Sequence, residues 1–444
     1  MNIILLSGGS GRRLWPLSNE VRSKQFLKIF KKDDGCYESM VQRMCRMISD
    51  VDQQTEIVIA TSENQVSSIR TQLEDSVDIS IEPCRRNTFP AIVLATAYLH
   101  DVKGIDAEEV VIVCPVDPYV DCEYFDMLEK IYFQAKKGEA HVVLMGVKPT
   151  YPSEKYGYII PKSKQEVTTV DSFREKPEKI MAEEFIAQGA LWNSGIFAFK
   201  ISYILSIAEK QLGSSNYLCL LDNYSSFKDI SFDHAVVEKE KKLQVMRFAG
   251  QWKDLGTWNT LTEAMSEETV GNAVAVDCKN THIINELQIP LIALGVSGLA
   301  IVATPDGILV TEKNSSDRLK EYVIEQRPMY EQRFWGEYKV LDYRIQRDGQ
   351  NFLTKHLIVI SGRCISYQLH HRRAEMWIFV EGAGIVIIDD EVRSVGRGDF
   401  VYISPGKKHT VKALTDLHII EVQVGDELSE DDIERFDLDW NDID

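Results

Sequence analysis

No run of about 18 apolar residues occurs anywhere in this chain, so the sequence offers no helix able to cross a bilayer. Met1-Asn-Ile-Ile-Leu-Leu-Ser-Gly-Gly has only a short apolar run before glycine, with no charged leader and no cleavage-like site, and a cytoplasmic protein without a membrane partner is expected. An excess of cations is missing too. Lys and Arg number 50 against 68 Asp and Glu, a formal net charge of −18 that repels phosphate backbones and anionic lipid heads and excludes a general nucleic-acid binder. Any phosphorylated ligand must therefore be held by a local cluster of cations. CxxC pairs and zinc-ribbon spacings are absent, and Cys36, Cys45, Cys84, Cys114, Cys122, Cys219, Cys278 and Cys364 are scattered, which reads as reduced thiols rather than a disulfide framework. Internal repeats and low-complexity tracts are lacking, and 26 Gly with 13 Pro is ordinary usage, so fibrous and disordered classes fall away. What remains is a globular chain of 444 residues, long enough for two or three domains with full-sized cores.

Apolar runs at residues 3–6, 56–60, 110–114 and 141–146 alternate with stretches of helical period at 37–48 and 91–100. That alternation predicts an α/β domain with a mainly parallel sheet and a ligand crevice at the carboxyl ends of its strands. From Gly271 to Lys313 the pattern changes to short β-rich pieces separated by Gly, Asn and Pro-Asp-Gly turns, a small β connector, followed by a charged, helix-compatible bridge at 314–327. From Trp335 onward alternating segments recur between Gly and Asp turns and predict a small all-β barrel or jelly roll. The acidic end, 426–444, reads as a helix or tail. Domain boundaries are expected at 1–265, 266–334 and 335–444.

Directly after the first expected strand stand Gly8-Gly9-Ser10-Gly11-Arg12-Arg13-Leu14-Trp15-Pro16-Leu17-Ser18 and then Ser23-Lys24-Gln25-Phe26. Glycines let the backbone approach a phosphate closely enough for consecutive N–H groups to donate to it. This is not a dinucleotide fingerprint, because Leu14 holds the place of the third glycine, and not a Walker loop, because no Gly-Lys-Ser/Thr follows. Arg12 or Arg13, and then Lys24, can neutralise a polyphosphate whose charge moves onto a leaving group, which favours phosphoryl-type chemistry over hydride transfer. A bare G-G-x-G with surface cations would read as an ordinary turn. Asp117 follows an all-apolar strand and belongs at its carboxyl end, and Asp254 is a second isolated carboxylate. Alone each reads as a cap or turn residue; with a phosphate loop they are the expected oxygen ligands of a metal bridging triphosphate and sugar phosphate.

The whole string from Gly8 to Phe26 resembles the nucleotide-binding loop of sugar-phosphate nucleotidylyltransferases, and Leu14-Trp15-Pro16-Leu17-Ser18 with Lys24-Gln25-Phe26 is similar to the mannose-1-phosphate guanylyltransferase branch. The resemblance continues in order along the chain: Glu82-Pro-Cys-Arg-Arg-Asn87-Thr88 resembles the family's E-P-x-x-R-N-T, Cys114-Pro-Val-Asp117-Pro its P-A-D-H and Tyr156-Gly157-Tyr158-Ile its Y-G-Y-I. Glu175-Lys176-Pro177 resembles its E-K-P, Trp192-Asn193-Ser194-Gly195 its W-N-S-G and Trp252-Lys253-Asp254-Leu255-Gly256 its W-x-D-V-G. The resemblance implies a Rossmann-like nucleotidyltransferase domain in which a mannose 1-phosphate oxygen attacks the α-phosphorus of GTP in line and pyrophosphate leaves. It also implies GDP-mannose as product, supplied to surface glycans. On the same resemblance Arg13 and Lys24 stabilise developing charge, and Asp117 and Asp254 hold Mg2+. Ser7, Gly8, Gly9, Gly11, Glu82, Asn87 and Thr88 bind the nucleotide, and Gly157, Glu175, Lys176 and Asn193 bind the sugar phosphate. An exposed Glu175–Lys176 ion pair and a turn residue at Asn193 are the plain alternatives. Pro118 stands where the family has histidine, Arg12 where it often has a small residue and Phe89 where alanine is common. Another sugar 1-phosphate or nucleotide therefore stays open, as does a non-catalytic sensor or scaffold, against which the intact Arg13, Lys24, Asp117 and Asp254 argue.

A second constellation lies near the C-terminus. Tyr367-Gln368-Leu-His370-His371-Arg372-Arg373-Ala-Glu375-Met376-Trp377 is followed by Gly382, and Gly398-Asp399 opens a stretch ending at His409. Imidazole, carboxamide and carboxylate groups on adjacent strands can converge inside a small barrel, and Gln368 and His370, two apart, point to one face. This resembles the metal motifs of the cupin fold, and more narrowly the phosphomannose isomerase domain attached to bifunctional bacterial guanylyltransferases. By that resemblance Gln368, His370, Glu375 and His409 are candidate ligands for Zn2+ or another divalent transition ion. The family's H-H-H-R-A-E-H-W has histidine where Arg372 and Met376 stand, and methionine cannot move a proton. Three readings follow: an isomerase of mannose 6-phosphate with rearranged residues, a metal cupin acting on another sugar, or a structural domain. Adjacent histidines on a barrel rim also form plain polar clusters. A homo-oligomer is compatible with the sequence, which does not specify one.

Overall fold

Ile3, Ile4 and Leu5 are fully buried although they point to alternate faces of one strand, a pattern that only a sheet covered on both sides accommodates. The structure, a computed structural model, describes residues 1–9, 12–19, 21–32, 34–324, 327–345, 350–438 and 440. Nine strands form the first sheet: Asn2–Ser7 (β1), Glu56–Ser62 (β2), Asp78–Glu82 (β3), Val110–Pro115 (β4), Val142–Val147 (β5), Tyr158–Pro161 (β6), Val167–Arg174 (β7), Leu191–Lys200 (β8) and Leu243–Phe248 (β9). Their order is β3-β2-β1-β4-β8-β5-β9-β7-β6. The stretch from β3 to β4 is parallel, as is β5 with β9, while β8 runs against both β4 and β5.

Two helices, Met40–Val51 (α1) and Cys122–Lys136 (α4), cover the face carrying Ile3 and Leu5; Thr88–Asp101 (α3) covers the face carrying Ile4. Between them in sequence lies Glu63–Leu73 (α2). Each start is marked locally. Ser39 and Gln42 form a reciprocal capping box at α1, Asp121 accepts from the Tyr124 N–H at α4, and Asn87 accepts from the Thr88 N–H at α3. These helices fix the loops beyond the carboxyl ends of β1, β3 and β4, which is where the expected ligand residues fall.

The chain forms two compact units, neither contiguous: 1–268 with 312–320, and 269–311 with 321–444. In the second, the β connector is a stack of short parallel strands. Thr269–Gly271, His282–Asn285 and Leu299–Thr304 pair in parallel, and Ala273–Val276 pairs in parallel with Leu291–Leu294. Gly271 is at φ +86°, and a Cβ there would lie 1.9 Å from the Asn285 carbonyl oxygen, so the stacking requires glycine. The expected helical bridge is a 3-10 helix, Lys313–Glu321.

The C-terminal strands are Tyr330–Arg333 (β10), Gly336–Arg344 (β11), Asn351–Val359 (β12), Tyr367–His370 (β13), Arg373–Glu381 (β14), Ala383–Ile388 (β15), Glu391–Gly396 (β16), Phe400–Ile403 (β17), His409–Ala413 (β18), Leu417–Gly425 (β19) and Ile433–Phe436 (β20). They make a sheet β10-β11-β12-β19-β14-β17 and a sheet β16-β15-β18-β13-β20 around a core that includes Leu353, Trp377, Val386 and Val411. Of the acidic end, 426–444, expected as a helix or tail, residues 439 and 441–444 lie outside the described residues, and Glu430–Asp432 is a short 3-10 helix. Residues 433–436 form β20, antiparallel to β13, because β13 would otherwise leave an edge of unpaired backbone groups beside the histidine cluster.

Candidate active site and metal centre

Beyond the end of β1, Gly8 and Gly9 are exposed, and Gly9 has φ +120°, a conformation other residues rarely adopt. Beneath them a cluster of buried polar side chains satisfies itself. Gln65 Oε1 accepts from Ser7 Oγ (3.1 Å), Thr61 Oγ1 (3.0 Å) and Gln25 Nε2 (3.1 Å). Gln65 Nε2 donates to Ser23 Oγ (3.1 Å), which donates to the Gly9 carbonyl (3.1 Å). One glutamine on α2 thereby ties the glycine loop to the 3-10 turn Lys24–Phe26.

The Lys24 ammonium lies 2.7 Å from Asp117 Oδ2 and 3.5 Å from Asp254 Oδ1. The two carboxylates, far apart in sequence, meet because Trp252–Asp254 pairs antiparallel with Pro118–Val120, which sets Asp254 opposite Pro118. Burial works to lower the Lys24 pKa, but both carboxylates oppose it and the net shift is upward, so the side chain stays an ammonium. Two carboxylates around one ammonium leave a negative charge uncompensated, and side-chain exposures of 38% and 34% keep it open to a ligand. The ammonium marks a place where a cation sits between two hard oxygen donors, a donor set that suits Mg2+.

Two cavities adjoin this point. One, of about 370 Å³, is lined by Ser7, Gly8, Gly9, Glu82, Asn87 and Thr88 among the expected nucleotide residues, and also by Arg85 and Asp229. The other, of about 200 Å³, is lined by Gly157, Glu175, Asn193 and Asp254, together with Lys155, Trp252 and Asp233. Pro115 and Asp117 line both.

Several expected contacts turn out to build walls. Asn87, at φ +66°, caps α3 and donates from Nδ2 to Asp229 Oδ1 (3.1 Å), while Thr88 Oγ1 accepts from the Phe232 N–H (2.8 Å). Glu82 accepts from the Tyr224 hydroxyl (2.7 Å), and burial pushes its carboxyl up against that bond. At the smaller cavity Tyr156 packs against Trp192 and Trp252, with centroids 4.9 and 5.4 Å away. A Cβ on Gly157 would lie 2.5 Å from Glu175 Oε2 and 2.8 Å from Phe173 Cζ, so a side chain there would displace that carboxylate.

Two expected residues are placed differently, and a third is not among those described. Arg13 is exposed on the turn Arg12–Leu14 and lines neither cavity; Gly11 lies outside the described residues. Lys176 is exposed and paired with Glu175 (2.8 Å), and the ammonium lining the smaller cavity belongs to Lys155. Arg85 belongs to the Glu82–Thr88 segment that resemblance assigns to the base pocket. Lys155, Asp229 and Asp233 carried no functional assignment from sequence, because only folding brings them to the cavities.

In the second unit the expected ligand atoms of His370, Glu375 and His409 converge, all within 4.8 Å of one another and buried. His370 Nε2 is 3.1 Å from Glu375 Oε1, His409 Nε2 is 3.5 Å from Glu375 Oε2, and Gln368 Nε2 is 3.4 Å from His370 Nε2. Burial would raise the Glu375 carboxyl, yet the two imidazoles hold it well below the usual range. His409 Nδ1 sits 2.9 Å from the Lys407 carbonyl, which leaves Nε2 as the ring nitrogen that faces Glu375. That buried Nε2 makes no hydrogen bond, and nitrogen, nitrogen and carboxylate donors at this spacing fit a divalent transition ion. The Arg373 guanidinium, 3.1 Å from Glu375 Oε1, is the fixed cation of the cluster. Behind it Trp377 Nε1 donates to Glu375 (3.2 Å) and to Glu421 (3.1 Å), whose carboxyl is pushed up to about 7 by burial and by Glu375.

The substitutions that made isomerisation doubtful lie elsewhere. Met376 occupies the face of β14 opposite the buried Glu375 and Trp377, and Arg372 is exposed and bound to Asp426 (2.9 Å) and Glu427. Neither change removes a group from the metal pocket, whose converging residues are His370, Glu375 and His409.

The nucleotidyl transferase family model matches residues 2–270. The chain belongs to that family. A second model, mannose-6-phosphate isomerase C-terminal, matches residues 320–438, so this nucleotidyl transferase carries the isomerase-type second domain that the motifs implied. It is 32% identical to xanthan biosynthesis protein XanB of Xanthomonas campestris pv. campestris (strain B100), over 98% of this chain and 97% of that one. It is 30% identical to mannose-1-phosphate guanylyltransferase 2 of Escherichia coli O157:H7, over 97% of this chain and 96% of the relative. A solved structure described as a mannose-1-phosphate geranyltransferase from Thermus thermophilus is 28% identical with a TM-score of 0.61, covering 72% of this chain and 97% of that one. Domains of both kinds use divalent metals, and nucleotide and sugar phosphate are the substrates such relatives imply. Among the described residues no helix is long and apolar enough to cross a membrane.

Proposed function

We propose that this nucleotidyl transferase joins GTP to mannose 1-phosphate, giving GDP-mannose and pyrophosphate. The observation that carries the reading is the pair of cavities meeting at Asp117, one beside a glycine loop and the other walled by carboxylates, an amide and aromatic rings. A nucleotide in the larger cavity and a sugar phosphate in the smaller would face each other across the Lys24–Asp117–Asp254 cluster. The sugar phosphate oxygen forms a bond to the α-phosphorus as the bond to the β-phosphate bridge breaks, so no protein nucleophile is needed and catalysis is positioning and charge neutralisation.

Lys24 neutralises charge on the phosphates, and the N–H groups of the Gly8–Gly9 loop donate to them. Arg13 and Gly11 enter on resemblance alone. When bound at Asp117 and Asp254, Mg2+ supplies Lewis-acid stabilisation of phosphate charge. Residues 1–265 carry the transfer, 266–334 connect, and 335–444 form a cupin in which Gln368, His370, Glu375 and His409 hold Zn2+ or another divalent ion. The work is placed in the cytoplasm, feeding GDP-mannose to surface polysaccharide.

The purified protein with GTP, Mg2+ and mannose 1-phosphate should release pyrophosphate and form GDP-mannose. Binding of GTP without turnover on any hexose 1-phosphate would instead make it a sensor. Parallel incubation with mannose 6-phosphate reads the cupin, and appearance of fructose 6-phosphate would establish isomerisation.

A further inference from the structure

Asn193, expected to touch the sugar, lines the smaller cavity and uses one N–H and one lone pair of its amide within the protein. Its Nδ2 donates to Asp233 Oδ1 (2.7 Å) and its Oδ1 accepts from the Gly195 N–H (3.2 Å). That geometry fixes the Asp233 carboxylate at the wall of the smaller cavity, where it shares the space with Glu175. Asp233 opens a π-helix, Asp233–Val237, and the segment before it is clamped to α3 by the Asn87–Asp229 and Thr88–Phe232 hydrogen bonds. Short π-helical turns are costly relative to α-helix and recur at functional sites. Glu175 is held in turn by Lys176 (2.8 Å) and by the close approach of Gly157.

We propose that Asp233 is a specificity-determining residue for the hexose: with Glu175 it accepts hydrogen bonds from adjacent sugar hydroxyls, and Asn193 is the positioning residue that aims it. This rests on the transferase reading and names the residues that choose its sugar. An ionised carboxylate is acceptor-only, so each oxygen facing the cavity demands a hydroxyl donor. A hexose whose hydroxyl points the other way leaves a desolvated acceptor unpaired, a penalty sites of this kind turn into discrimination. A second carboxylate is otherwise unwelcome there, since burial and Glu175 together hold its pKa up at about 6.

The test compares wild type with Asp233→Asn and Asn193→Ala, using mannose 1-phosphate and glucose 1-phosphate as acceptors and pyrophosphate release as readout. Asp233→Asn keeps shape and the bond from Asn193 but replaces one acceptor with a donor. It should lower kcat/KM for the better hexose by at least about 10-fold and shrink the ratio between the two sugars, with the KM for GTP within about two-fold of wild type. Asn193→Ala should shift the ratio in the same direction with a smaller loss. An unchanged sugar ratio in Asp233→Asn, or equal losses for both sugars and GTP, overturns the assignment. Wild-type protein that releases no pyrophosphate with either hexose would instead overturn the transferase reading, and this inference with it.

Discussion

Asp233 gives up stability for its position. Burial, then the neighbouring Glu175, raises its carboxyl to about 6, with Lys176 and the Asn193 amide pulling the other way; Lys155, Asp117 and Asp254 line the same cavity. A raised carboxyl binds its proton more tightly in the folded state, so stability is fullest below about pH 4 and is lost as pH rises toward 6. Asp233→Asn removes that loss. Its melting temperature should match wild type near pH 4 and exceed it by several degrees at pH 8; a variant less stable than wild type at both values would contradict the burial argument. Gain of stability with loss of sugar selectivity is the behaviour of a residue kept for function. At this scale the sequence was readable where charge interrupts apolar surroundings: Lys24, Asp117 and Asp254 stand out, and the fold brings them within hydrogen-bonding reach. Asp233 and Lys155 were not readable, because nothing local separates them from other surface charges until β8 and the π-helix are in place.

Among the elements, α2 does the least obvious work. It is mostly polar, yet Gln65 reaches from it into the cluster that holds the Gly8–Gly9 loop against the Lys24 turn. Gln65→Met fills similar volume but strips partners from Ser7, Thr61 and Ser23. Ser7 Oγ keeps Gln25 Nε2, Thr61 Oγ1 keeps the Ser7 carbonyl and Ser23 Oγ keeps the Gly9 carbonyl, so the cost is that of lost hydrogen bonds, about 1 kcal/mol each and about 3 kcal/mol in all. Urea unfolding measures it, and a KM for GTP that rises along with the loss would show that the loop moves; unaltered stability and KM would remove Gln65 from this role. Four of the nine strands of the first sheet, β1, β2, β4 and β5, were legible as apolar runs, and α1 and α3 by their period. Strand β20 was hidden because Glu434 and Arg435 give it no apolar face, and the parallel stacking of the connector was hidden because it depends on Gly271 admitting the Asn285 carbonyl.

Over the whole molecule, the phosphate chemistry and the histidine cluster are housed in different compact units. His409→Ala deletes one of the converging ligands, so the purified variant should lose bound transition metal, measured by elemental analysis, while guanylyl transfer stays within about two-fold of wild type. Loss of transfer in that variant would show that the units are coupled.

The units also interleave along the chain. The first takes back residues 312–320, including buried Lys313 and Ser316, after the chain has already built the parallel coils of the second. A recombination event with one breakpoint exchanges contiguous stretches only. A break after residue 268 strips the first unit of its returning segment, and a break after 320 leaves the coils behind with the wrong body. A chimera joined at either point therefore splits one of the two units, which makes this joint a poor place to exchange one domain for another.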